Sequence, residues 1–214
     1  MTGRREPALR SPPRARTLAG FPTASPPSQV FRVSRGTHGL WWFSSHGAGR
    51  FDLAHPMGTC YLAADPLSAL LEVLAGAAET TAAFLDARQV HRIDELRARL
   101  ADATHRAATG FGVTRELSSI TPYDLPQQWA AALRDAGFDG VRYMLRFDPS
   151  PCGLAVAVFG RAVAVFGRAG EDRTRPPGAA TPVGEGLRVR LRDECGVRVI
   201  PIPNAAQLRV AEPP

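Results

Sequence analysis

Hydrophobic positions along this chain recur in short stretches with two different periods, a pattern that predicts a domain of brief strands and helices. Phe31-Arg32-Val33-Ser34 alternates and reads as a strand with Phe31 and Val33 inward. A loop bearing Trp41 and Trp42 runs from Gly36 to Gly49. Gly58 to Ala63 reads as a second strand, with Cys60 and Leu62 on one face and Thr59 and Tyr61 on the other. Asp65 then caps a helix that begins at Pro66 and continues to Ala75. Residues 80–86 have helical spacing, Gln89 to Ile93 fits a short strand, and Leu96 to Ala108 fits a helix ended by Gly110. Pro126 to Ala136 fits another helix, with Trp129 and Leu133 four apart and Gly137 as its stop. Val141, Tyr143, Leu145 and Phe147 alternate with Arg142, Met144 and Arg146, as in a half-buried strand. Leu187 to Cys195 fits either period; Gly196 favours a helix, and Val197 to Ile202 reads as a final strand. Helices interspersed with short strands predict a mixed α/β (α+β) fold, a single domain over residues 30–205.

The two ends lack periodicity. Residues 1–29 are rich in Pro, Arg, Ser and Ala and predict a disordered tail; residues 206–214 form a second tail. The sequence AVAVFGR occurs at 155–161 and again, letter for letter, at 162–168. Either Gly160-Arg161 is the turn of a hairpin between twin strands, or one copy is an insertion; identity of every letter favours the insertion.

Composition narrows the class. Among 214 residues, 44% hydrophobic and 21% charged content is that of a soluble globular protein with one core. The pI near 10.2 suggests a polyanion partner, but five arginines against Glu6 in residues 1–30 place +4 of the formal +6 in the tail. All 26 basic residues are arginine, which a GC-rich coding bias explains. Cys60, Cys152 and Cys195 are odd in number and far apart, as in a reducing cytoplasm, and neither they nor the five histidines have metal-ligand spacing. No apolar run approaches the roughly 20 residues of a membrane span. The glycine and serine motifs of common dinucleotide folds, ATPases and α/β-hydrolases do not occur.

Four residues carry candidate chemistry, and each has a plainer reading. Arg32 points away from Phe31 and Val33: a solvated strand arginine, or a bidentate phosphate ligand. Arg50 follows Gly47-Ala48-Gly49, where glycines let backbone approach a ligand, though a loop arginine needs no ligand. Tyr61 is either ordinary packing or an aromatic wall for the ring of a ligand. In the 66–75 helix, Leu67, Leu70, Leu71 and Leu74 form one stripe. Glu72 lies about 150° from its centre at about 100° per residue, so periodicity alone makes it solvated.

FRVSRG, GAGRFD, GTCYLAADPLSALLEVL and AGFDGVRYMLRFDPS, taken in this order, resemble the RES domain family. The resemblance implies a fold like that of ADP-ribosyltransferases and an enzyme that degrades NAD, the toxin of a toxin–antitoxin pair. It implies Glu72 and Arg32 as catalytic residues, and Arg32, Arg50 and Tyr61 as NAD-binding residues. It also aligns the family's serine with Leu145, which has no hydroxyl. On this reading NAD is the substrate, inorganic phosphate or water the acceptor, and no cofactor or metal is permanently bound. The implied partner is an Xre-type antitoxin, with no membrane and with nucleic acid reached only through the antitoxin. A protein ADP-ribosyltransferase, a degenerate binding module and a nucleic-acid binder acting through residues 1–29 are the competing expectations.

Overall fold

A computed structural model describes residues 9–35, 39–150, 153–161 and 178–201. The elements in chain order are α1 (Ala15–Leu18), β1 (Thr23–Ala24), β2 (Val30–Arg35), β3 (Met57–Ala63), α2 (Pro66–Leu74), β4 (Glu79–Thr81), α3 (Ala82–Asp86), β5 (Arg88–Ile93) and β6 (Leu100–Asp102). After a 3-10 turn at Arg106–Phe111 come α4 (Glu116–Ser119), α5 (Asp124–Asp135), β7 (Gly140–Met144), β8 (Leu154–Arg161), β9 (Ala179–Pro182), α6 (Glu185–Asp193) and β10 (Arg198–Ile200). Eight strands form one sheet in the order β1-β6-β7-β8-β3-β2-β5-β9, and β10 pairs with β4 in a second, two-stranded sheet. Within the large sheet β6 and β7 are parallel; every other neighbouring pair is antiparallel. The mixed α/β expectation holds. No helix among the described residues is long and apolar enough to cross a membrane.

The sheet is covered on both faces, and this places the site. On one face Val33, Ala63, Val90, Val141, Tyr143, Ala155 and Ala157 pack with Leu67, Leu70 and Leu74 of α2 and Trp129 and Leu133 of α5. On the other, Val30, Cys60, Leu62, Ile93, Leu100 and Val156 pack under Leu40, Trp41 and Phe43 of the loop before β3. Alternation along β2 and β3 therefore sends neighbouring side chains into two different cores rather than to core and solvent.

Local rules account for several element ends. Asp65 accepts from the Ser68 N–H at 2.9 Å and Pro66 opens α2. Ala75 closes that helix at φ +52°, its N–H reaching the carbonyls of Leu71 and Glu72. Gly137, at φ +87°, stops α5. The expected helix from Leu96 to Ala108 is not formed: β6 and the 3-10 turn stand there. Leu100 enters one core and Ala101 the other, between β1 and β7, so burial on both faces overrode a spacing that also suits a helix. Residues 80–86 divide into the end of β4 and α3, with Thr81 accepting from the Phe84 N–H. Leu187 to Cys195 resolves as helix α6 to Asp193.

The first AVAVFGR copy lies wholly within β8, where Gly160 pairs with Gly58 and Arg161 with Met57. Gly160-Arg161 is therefore strand and not a turn; the second copy lies outside the described residues. Nor does the tail extend to residue 29. Leu9, Leu18 and Phe21 are buried, the Leu9 N–H donates to Glu116, and Trp129 Nε1 donates to the Arg10 carbonyl at 2.9 Å. Pro-rich composition hid three apolar anchors too widely spaced to show a period. Phe21 sits among Phe111, Trp129 and Phe138, with ring centroids 5.1 to 6.3 Å away. Phe21→Ala is expected to cost about 3 kcal/mol of stability in urea unfolding; a loss under 1 kcal/mol, on the scale of about 0.5 kcal/mol for surface changes, would mean that this segment does not belong to the core.

Candidate active site

A cavity of about 440 Å³ opens between α2 and the sheet face formed by β2, β3 and β7. Ala69, Glu72 and Val73, at helical spacing i, i+3, i+4, turn one side of α2 toward it. Arg50, Tyr61, Tyr123, Tyr143, Leu145 and Phe147 complete much of the wall. Its size is that of a small-molecule site, about 300–1,000 Å³. Glu72 is its only carboxylate among the described residues.

The loop carrying Arg50 is tied down by Asp52. One carboxylate oxygen of Asp52 accepts from the Gly49 N–H at 2.9 Å and the Ser44 hydroxyl at 2.8 Å; the other accepts from the Tyr61 hydroxyl at 2.8 Å. Tyr61 in turn accepts from the Phe51 N–H at 2.9 Å. Thr59 donates to the Phe51 carbonyl, and Gln127 of α5 donates to the carbonyls of Gly47 and Gly49. Gly49 must be glycine here because a Cβ would collide with the Asp52 carboxylate and the Tyr61 hydroxyl. Thus held, Arg50 is 8% exposed, donates to the Ile120 carbonyl at 2.7 Å and stacks over the Tyr123 ring at 4.7 Å. Burial lowers its pKa; Arg146 adds to that, while Tyr123, Tyr143 and Glu72 oppose it.

Glu72 faces the same cavity. Oε1 accepts from the backbone N–H of Phe147 at 3.0 Å and of Arg146 at 3.2 Å. Among the described residues Oε2 has no hydrogen-bond partner, and no ion pair reaches the carboxylate. Burial raises the pKa of the carboxyl, and the two N–H groups and Arg50 pull it back. Tyr143 is buried edge-on to Phe51, centroids 4.8 Å apart. Burial and the nearby Glu72 raise its hydroxyl pKa, against the pull of Arg50.

All four expected residues border this cavity, but not all in the expected way. Tyr61 borders the cavity with its hydroxyl committed to Asp52 and Phe51. Arg32 also borders it, yet its Nη1 donates to the carbonyls of Leu40 and Trp42 at 2.8 Å and lies 3.0 Å from Cys60 Sγ. Cys60 belongs to the second core, on the face opposite Tyr61, so the guanidinium pins the covering loop rather than facing Glu72. Leu145 is 7% exposed in the cavity wall, and no serine lines that wall among the described residues. Ser150 sits apart, in a turn with Asp148. Sequence reasoning passed over Asp52, although it stands in GAGRFD, and Tyr143, although its inward register was legible. Tyr123 and the two backbone N–H groups carried no signal. No cluster of three or more potential metal ligands exists among the described residues.

The RES domain family profile matches residues 29–177, more than half of the chain, and the chain belongs to that family. The fold is similar to a chain of the M. tuberculosis MbcT–MbcA toxin–antitoxin complex, with a TM-score of 0.62 and 19% identity over 83% of this chain and 96% of that one. A comparison with curated proteins found no match.

Tyr61→Phe removes a donor to Asp52 and an acceptor for the Phe51 N–H, and is expected to lower stability by about 1–3 kcal/mol in urea unfolding. Glu72 behaves in the opposite sense. Its folded-state pKa lies above the unfolded one, so its stabilising contribution is present at acid pH and lost as pH rises through the folded value. Glu72→Gln keeps an oxygen for the two N–H groups and is expected to melt no lower than the parent at neutral pH. A clearly lower melting temperature there would show that the ionised carboxylate stabilises the fold.

Proposed function

We propose that this chain is a toxin that degrades NAD by cleaving the bond between nicotinamide and ribose. The observation that carries the reading is Glu72: among the described residues the lone carboxylate of the cavity, half-buried, with one oxygen fixed by two backbone N–H groups and the other without a hydrogen-bond partner. Nicotinamide leaves as a neutral molecule from a cationic ring, so the electron pair of the C1′–N bond departs without a general acid. The ribose left behind is oxocarbenium-like, and a fixed carboxylate stabilises that charge and holds the ribose hydroxyls. Paired carboxylates, as ordinary glycosidases use, are not needed for such a leaving group. An oxygen of inorganic phosphate or of water then bonds to C1′, water losing a proton. Buried Arg50 offers a cation for the phosphates of the substrate, and Tyr123 and Phe147 offer aromatic faces for its rings.

Membership of the RES family and likeness in fold to a chain of a toxin–antitoxin complex support the toxin role and an antitoxin partner, of Xre type by family resemblance. Leu145 in the cavity wall favours a second reading, a binding module that keeps affinity for NAD or antitoxin without turnover. Transfer of ADP-ribose to protein is a third outcome at the same site.

Purified full-length protein is expected to consume NAD and release nicotinamide, and Glu72→Gln to slow this by about 100-fold or more. Activity should fall as pH drops through the Glu72 pKa, at a higher pH than an ordinary carboxylate would give. Loss of NAD only with added inorganic phosphate identifies phosphorolysis, loss without it hydrolysis, and label on protein a transferase. No loss from folded protein in either buffer would sink the enzyme reading and leave the binding module.

A further inference from the structure

Three arginines border the cavity, and among the described residues none of them pairs with a carboxylate; Arg32 is held by carbonyls, which leaves Arg50 and Arg146. Arg50 is 8% exposed, and its contacts are a carbonyl oxygen and the Tyr123 ring. Among the described residues no acid lies within ion-pair distance of it. A cation buried in that way is costly unless an anion compensates it. Arg146, just past β7, stands at the rim: exposed, with its guanidinium 5.3 Å from the Phe147 ring centre and again no acid in ion-pair reach among the described residues. The two arginines repel each other, as the lowering effect of Arg146 on Arg50 records. Like charges turned toward one cavity, each backed by an aromatic ring, suit a ligand with two linked negative groups. The position also fits a dinucleotide, because the backbone N–H of Arg146 holds Glu72, so ribose and phosphate sites would lie side by side. Arg32, whose Nη1 is tied to Leu40 and Trp42, is not free to supply this second charge.

We infer that Arg146 and Arg50 clamp the diphosphate of the substrate, with Arg146 rather than Arg32 as the second cation. The inference rests on the dinucleotide reading of the cavity. It assigns Arg146 to binding, with its side chain gripping phosphate while its main chain orients the carboxylate.

The test is calorimetric titration of ADP-ribose, and separately of nicotinamide riboside, into the full-length protein and Arg146→Ala, each at two salt concentrations. The substitution alters an exposed side chain and keeps the N–H that Glu72 needs. Arg146→Ala is expected to weaken ADP-ribose binding about 10- to 100-fold and to flatten its salt dependence, with a far smaller effect on nicotinamide riboside, which has no phosphate. Unchanged ADP-ribose affinity, equal weakening of both ligands, or no ADP-ribose binding to the parent would overturn the clamp. NAD consumption measured on the same samples separates the two claims. Arg146-dependent ADP-ribose binding without NAD loss upholds the clamp and refutes catalysis; NAD loss with binding indifferent to Arg146 does the reverse.

Discussion

The hydrogen bonds of Asp52 are the constraint on which the site depends. A Gly-Ala-Gly loop has no shape of its own, and a long arginine at its end would sample many positions. Asp52 removes that freedom by binding Gly49, Ser44 and Tyr61 at once, so the loop is tied to β3 through Tyr61. Gln127 ties it to α5 from the other side. The arginine is therefore aimed before any ligand arrives, and a pre-arranged cation loses less entropy on binding than a mobile one. Tyr61 is best understood in this network: an aromatic bordering the cavity, whose hydroxyl positions the neighbour that carries charge.

Covering the sheet on both faces has a comparable effect on the rest of the chain. A strand with solvent on one side would turn Arg32 outward. Here the loop containing Leu40, Trp41 and Phe43 closes over that side, and Arg32 satisfies two of its carbonyls. Buried carbonyls without partners are costly, and the planar guanidinium serves both from one nitrogen. The other face is left to α2, whose Leu67, Leu70 and Leu74 seat the helix while Ala69, Glu72 and Val73 border the cavity.

The cavity holds its ionisable groups in a tense arrangement. Glu72, Arg50 and Tyr143 all have pKa values displaced chiefly by burial, and no ion pair relieves them among the described residues. Such groupings lower stability and are typical of sites that must meet charge on a ligand or a transition state. The fold tolerates them because backbone N–H groups, a carbonyl and an aromatic ring carry part of the load.

Local patterns in the sequence determined the mixed α/β class, β2, β3, α2, β5, α5 and β7, and the run of motifs that marks the RES family. Each of these rests on interactions within a few residues: alternation, a capping Asp with Pro behind it, a glycine stop. What pairing across the sheet decided was not legible in that way. Leu96 to Leu100 has helical spacing, but Leu100 lies in a strand because β1 and β7 enclose it. Leu9, Leu18 and Phe21 show no period and still join the core. Glu72 is polar-side by periodicity and reaches a cavity only because α2 lies beside the strand that leads to Arg146 and Phe147. Arg32 stands in the FRVSRG stretch that resembles the family's opening strand, yet its direction was set by a loop that folds back over the far face. Periodicity reports which side of an element a residue occupies; only the packing of the elements decides whether that side meets core, water or ligand.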